Sequence, residues 1–337
     1  MQTMMSEEAM KTKLSRITFC VLALAVLVCM SLITGFAQSK AAAPTTAGGA
    51  KAFDSPQQAA GAFIAAAAAY DVSELMAIMG PDGKDLFESA DPVQDKNNAL
   101  AFAKEAQAKH SVQVDANGNR ATIIVGEEQW PVPTPIVKKN GKWYFDTKAG
   151  RQEILFRRIG ANELDAIEVC HIYVDAQVEY ASEIRDGSGV NQYAQKVIST
   201  PGKQDGLYWK AAAGSPESPL GDQVARALAE GYTIGKEGFH GYYFKILKGQ
   251  GPAVPMGRLD YVIEGIMIGG FALVAVPAEY RVTGVKTFLV SADGIVYQKD
   301  LGPDSLEIVK KMELYNPDKT WQPTDDQWPQ DVASAKP

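Results

Sequence analysis

The stretch that decides the fold runs from Gly141-Lys142-Trp143-Tyr144-Phe145-Asp146 to Arg157-Arg158-Ile159-Gly160-Ala161-Asn162-Glu163. Its first piece closes a series of β-rich segments, with an Asn140-Gly141 turn before it. Its last piece opens a helical period, so the chain changes character here. Arg157 to Gly160 lacks the Pro/Ser/Gly length that lets two domains move independently, and the two parts are expected to meet without a linker.

Upstream of this stretch, Asp54 or Ser55 is placed to cap a helix whose first turn tolerates Pro56, with Ala59, Phe63, Ile64, Ala67 and Tyr70 at helical spacing. A short helix over Val72 to Met79 ends at Gly80-Pro81, and a third runs from about Lys96 to Ala108. Four β-rich segments follow: His110 to Val114, Arg120 to Gly126, Gln129 to Lys138 and Lys142 to Asp146. The turns between them predict an antiparallel meander. Pro131, Pro133 and Pro135 place the third segment at an edge or a bulge.

Downstream, Leu164, Ile167, Cys170, Val174, Val178 and Ala181 recur as a helical stripe, with Glu163, Asp165, Glu168, Asp175, Glu179 and Glu183 on other faces. This predicts a long amphipathic helix starting at Gly160. Strands are expected over Gly241 to Leu247 and Gly270 to Pro277, and a hairpin over Val285 to Val290 and Ile295 to Lys299 around Asp293-Gly294. The stripe should rest on that hairpin.

The fold class is therefore α+β. A cone-shaped domain of helices and antiparallel sheet is expected over 53–158, and a long helix packed on a small antiparallel sheet over 159–316. Residues 1–37 read as a signal peptide, 38–52 as a flexible tether and 317–337 as a disordered tail.

Three resemblances add to this reading. The helix-then-meander order over Phe53 to Arg157 resembles the cone of the nuclear-transport-factor and cystatin-like superfamily, which implies a pocket or a packing surface. Asn162-Glu163, Ala176-Gln177, the Gly-Tyr-Tyr-Phe and Phe-Ala-Leu-Val-Ala-Val-Pro strands and the Ser-Ala-Asp-Gly-Ile-Val hairpin resemble the periplasmic head of type IV pilins and type II secretion pseudopilins over about 160–302. Gly35-Phe36 follows the apolar run, where a pilin leader would place it before, so the likeness does not carry filament assembly with it. Taken together, the signal, the Phe-Asp-Ser-Pro start, the Gly-Lys-Trp-Tyr-Phe-Asp-Thr-Lys-Ala-Gly centre and the junction at Arg157 to Glu163 resemble the bacterial family called domain of unknown function 2950. That resemblance implies an exported protein and leaves its biochemical role open.

Export is also legible directly. Lys11, Lys13 and Arg16 precede an apolar run from Ile17 to Ile33, and Gly35-Phe36-Ala37 offers a cleavage site that would leave Gln38 as the mature N-terminus. A run of this length can alternatively stay as an inner-membrane anchor. The Pro/Gly/Ala-rich tract after it favours cleavage, and hence a periplasmic or secreted product without a membrane contact of its own. Cys29 follows Val28 inside the apolar run, which does not fit a lipoprotein site. Cleavage would leave Cys170 as the lone thiol, read as buried and inert.

With Lys+Arg 33 against Asp+Glu 40 and a net charge of −7, nucleic acid is not an expected partner. Metal or nucleophilic chemistry finds no pattern. His110, His171 and His240 have no ligand spacing among them, and Cys170 and His171 are helix neighbours that point about 100° apart. The glycine-rich pieces Gly249 to Gly251 and Gly265 to Gly270 fit neither a phosphate loop nor a dinucleotide fingerprint, so no cofactor is expected. Asp293, Asp300 and Asp304 suit either a calcium loop or turn chemistry.

The ligand-binding candidates are aromatic: Trp130 at the mouth of the cone beside Asp71 or Glu127, and Trp209, His240 and Tyr242 in the second part, where core packing competes as an explanation. The expected function is a non-catalytic binding or interaction protein of the cell envelope, partnered by an envelope protein or a small molecule. The alternative is an envelope hydrolase or small-ligand enzyme using the cone.

Overall fold

A computed structural model of the chain describes residues 49–185, 187, 189–211, 217–222, 224–225 and 240–326. The expected signal peptide lies outside the described residues, as do the first part of the tether and the end of the tail.

Three helices open the described chain: α1 (Pro56–Ala69), α2 (Val72–Met79) and α3 (Pro92–Ala108), with a 3-10 turn at Pro81–Leu86 between the last two. Each begins where a side-chain acceptor satisfies its free N–H groups. The Ser55 hydroxyl accepts from Gln58 N, the Asp71 carboxylate from Glu74 N, and Asp91 from both Val93 N and Gln94 N. Tyr70 in the left-handed region ends α1 and Gly80, with φ of +81°, ends α2.

These helices cover a sheet of β1 (His110–Val114), β2 (Arg120–Val125), β4 (Ile136–Lys139) and β5 (Lys142–Phe145), with β3 (Trp130–Pro131) paired to β2 alone. Ala121, Ile123 and Val125 alternate inward from β2 and meet Ile64, Ile78, Trp143 and Phe145 in a first apolar core. Phe63 packs its ring on Phe102 and Phe145 with centroids 5.3 and 5.2 Å away.

The expected third strand, Gln129 to Lys138, is two short ones. Pro131, Pro133 and Pro135 cannot donate to a ladder, and after Val132, whose N–H still donates to Ile123 O, the chain leaves the sheet at 133–135 before pairing again as β4. The tether also ends earlier than expected. Lys51 N donates to Ala77 O at 2.8 Å and its ammonium pairs with Glu74, so 49–52 belong to the packed structure.

Helix α4 (Thr147–Ala181) has 35 residues, about 52 Å at 1.5 Å per residue. It starts at Thr147, where Asp146 accepts from Ala149 N, and not at Gly160 as expected. Gly160 lies in its interior; a helical glycine costs only about 1 kcal/mol against alanine, too little to break a run flanked by strong helix formers. The expected boundary at 158/159 therefore falls inside a helix that begins beside the 3-10 turn of the first part and ends in the second core.

The second core lies between α4 and a sheet ordered β15-β13-β12-β11-β6: Gln322–Pro323, Tyr297–Lys299, Thr287–Ser291, Ala272–Pro277 and Tyr242–Leu247. Every residue of β11 is buried, as expected of a strand covered on both faces. Helix α5 (Ser305–Lys311), which sequence reading missed, packs over it. A small sheet joins β14 (Leu314–Tyr315) to β7 (Gly249–Gln250) in parallel and β7 to β8 (Leu259–Asp260) antiparallel. A two-residue hairpin pairs β9 (Val262–Ile263) with β10 (Ile266–Met267).

The buried face of α4 differs from the expected stripe. Leu164 is 67% and Val178 47% exposed, whereas Ala166, Val169, Cys170, Tyr173, Val174, Ala176, Gln177 and Tyr180 are buried. The helix is rotated so that Gln177 faces inward, where its amide donates to Ala194 O and accepts from Ala194 N, both at 2.8 Å. A polar residue that completes two backbone hydrogen bonds is a satisfied core residue. Glu163, expected in solvent, is half-buried against the second sheet.

Residues 317–326 are also ordered, against the expected tail. Trp321 is buried, β15 adds a strand to the second sheet, and the Asp326 carboxylate meets His171 Nε2 on α4. The apolar Trp321 supplies the burial that the surrounding polar sequence concealed.

Candidate functional site

The site is built where the broken third strand meets the helices. Residues 133–135 leave the sheet and cross the start of α4, where Gly150 lets the two backbones approach. A Cβ at Gly150 would lie 2.4 Å from Thr134 Oγ1 and 3.1 Å from Thr134 Cα. Between that crossing, α1, α2, α3 and the 3-10 turn lies a cavity of about 420 Å³. That volume is within the range of small-molecule clefts.

Its walls are mainly apolar, with Phe63, Leu75, Phe87, Phe102, Val132 and Ile154 contributing. Trp130 stands at the edge, 47% exposed. Its ring is held rather than loose. The Arg157 guanidinium lies 5.2 Å over it, donating from Nη1 to Pro131 O at 2.8 Å and from Nε to Glu153 at 2.9 Å.

Three carboxylates line the cavity in different states. Asp85 is engaged at the rim by Arg151 in a two-pronged pair, both bonds 2.7 Å, and that hydrogen bonding holds its carboxyl below the usual range. Glu88 pairs with Lys84 at 3.1 Å. Asp95 is 9% exposed and accepts from Ser89 N at 2.7 Å and Ser89 Oγ at 2.8 Å, with no cation paired to it among the described residues. Among the described residues, the lining holds no Lys, Arg or His.

Of the residues singled out from sequence, Trp130 alone lines this cavity. Asp71 is spent on capping α2, and Glu127 pairs with Lys109 outside it. Trp209 and Tyr242 are buried in the second core. Arg185 lies 5.0 Å over the Trp209 ring, and the Tyr242 hydroxyl donates to Lys286 O at 2.8 Å. His240 is half-exposed with φ of +46°, and Asp165 holds it. The structure thus does not bring the four aromatic and histidine candidates together.

Sequence reading missed Ser89, Asp95, Asn98 and Thr134. Asp95 had a signal, since it sits one turn after the Asp91-Pro92 helix start, but acids there are ordinary macrodipole partners. Two of the three C-terminal carboxylates serve turns, and Asp304 stands at the start of α5 without a side-chain capping bond. Asp293 accepts from Ile295 N at 3.1 Å and Ser291 Oγ at 3.3 Å, and Asp300 accepts from Gly302 N at 2.8 Å. Among the described residues no group of three His, Cys, Asp or Glu is placed to hold a metal ion, and no helix is long and apolar enough to cross a membrane.

A family model described as "Protein of unknown function (DUF2950)" matches residues 50–324. No curated protein and no solved structure matches the chain. These findings give no support to the pilin-like reading of residues 160–302.

Proposed function

The chain belongs to this family of unknown function, and from that premise we propose that it is an exported binding protein of the bacterial envelope whose cavity in the first core takes a small, largely apolar molecule. The cavity itself carries the reading: about 420 Å³ of apolar-walled space edged by an aromatic ring that an arginine fixes in place. A packing surface would instead be filled by the chain's own side chains. The lining favours binding over chemistry, since it offers no His, Cys or Lys and two of its three carboxylates are paired with cations. The cone-like order of helices and sheet in the first part agrees with a pocket at this place. Export rests on the Lys11 to Ala37 pattern.

The test uses phenylnaphthylamine, a neutral apolar dye that fluoresces when desolvated. The mature chain should bind it with saturable enhancement. Ala99→Trp, which fills the cavity from α3, should abolish the enhancement while circular dichroism stays unchanged. Equal enhancement in both proteins would overturn the reading.

A further inference from the structure

Resting on that reading, we infer that the ligand is an organic cation with an apolar body, held by Asp95 and by the aromatic walls. The charge of the lining points this way. Asp85 and Glu88 already have Arg151 and Lys84, but Asp95 has the N-terminal end of α3 and Ser89, and no side-chain cation among the described residues. Ser89 supplies two neutral donors and no positive charge, and each carboxylate oxygen keeps a further acceptor site. A nine-tenths buried carboxylate without a cation is unusual, because buried charges are normally paired. A ligand ammonium would supply the missing charge.

The walls fit the same guest. Phe63, Phe87 and Phe102 present aromatic rings to the space, and ring faces attract cations when desolvated. An anionic amphiphile such as a fatty acid would meet the opposite arrangement. It would bring a second negative charge beside Asp95, and no lysine, arginine or histidine of the lining would receive its head.

The experiment compares three decyl compounds that share one tail, namely decyltrimethylammonium, decanol and decanoate. Each is titrated calorimetrically below its micelle concentration into the mature chain, in moderate salt to suppress binding to the acidic surface. Decyltrimethylammonium should bind tightest, at least about tenfold ahead of decanoate, with decanol between. Asp95→Asn should erase the preference for the ammonium compound while leaving decanol affinity within about twofold, since the amide still accepts from Ser89. If decanol binds but the three compounds are alike, or decanoate leads, the charge inference fails and the cavity reading stands. If no decyl compound binds, both fail. Should Asp95→Asn not fold, the wild-type series decides by itself.

Discussion

One oxygen of Glu163 accepts two backbone hydrogens at the entrance to β12: Val285 N at 2.8 Å and Lys286 N at 3.0 Å. Asn162 Nδ2 donates to Thr283 O at 2.8 Å and Arg158 Nη2 to Val282 O at 3.1 Å, so consecutive turns of α4 hold 282–286 in place. Glu163→Ala would leave two N–H groups without a strong acceptor and should lower stability by about 2 kcal/mol. Glu163→Gln keeps an oxygen in position and should recover more than half of that. Urea denaturation of the three proteins checks this, and an alanine variant as stable as the wild type would refute it.

The orientation of α4 makes a second prediction. Val174 is 5% exposed within the second core, and Val174→Asp would bury an unpaired charge there at a cost of several kcal/mol. Val178→Asp and Glu179→Lys lie on the solvent side and should each shift stability by less than about 0.5 kcal/mol. Thermal melts of the three variants decide it. A loss at Val178 matching that at Val174 would mean that the helix packs on the stripe visible in sequence instead.

That contrast shows what was legible. The helix start at Ser55 and the hairpin at Asp293-Gly294 carry local signals, since a cap or a tight turn depends on residues a few positions apart. The rotation of α4 depends on Gln177 finding Ala194, and no local pattern marks a polar residue as destined for a core. The start of α4 was hidden for a related reason: Gly160 reads as punctuation, yet the packing of the helix on the second core outweighs its small cost. The site was half-legible. Trp130 is conspicuous as an aromatic beside prolines, whereas Asp95 becomes notable only when Ser89 and the cavity walls surround it.

Two glycines should respond in opposite directions. Gly160 is helical, and an added Cβ would meet nothing within 4 Å, so Gly160→Ala should stabilise by about 0.5–1 kcal/mol. At Gly284 the same methyl would lie 2.2 Å from the hydroxyl and 2.6 Å from Cζ of the fully buried Tyr242. Gly284→Ala should therefore destabilise by about 1–3 kcal/mol, the usual range for forcing extra volume into a packed interior. Differential scanning calorimetry reads both, and a destabilising Gly160→Ala would contradict the open surroundings seen here.

Asp205 gives the acid limb of the stability curve. Partial burial raises its pKa, but bonds from Lys196 Nζ at 2.7 Å, Thr200 N at 2.7 Å and Thr200 Oγ1 at 2.8 Å outweigh that and bring it to about 2. The folded value lies below the ordinary 3.8, so the unfolded chain binds the proton more readily. The contribution is thus complete above about pH 5 and is lost as pH falls from there through about 2. Its size is on the order of 2 kcal/mol, since one pKa unit corresponds to about 1.4 kcal/mol and the carboxylate is mostly shielded from solvent. Asp205→Asn removes the titration. The stability gap between wild type and variant, followed by urea denaturation, should be widest near pH 6 and shrink steadily towards about pH 2.5. A gap that stays constant across that range would show that Asp205 acts through its shape and hydrogen bonds and not through its charge.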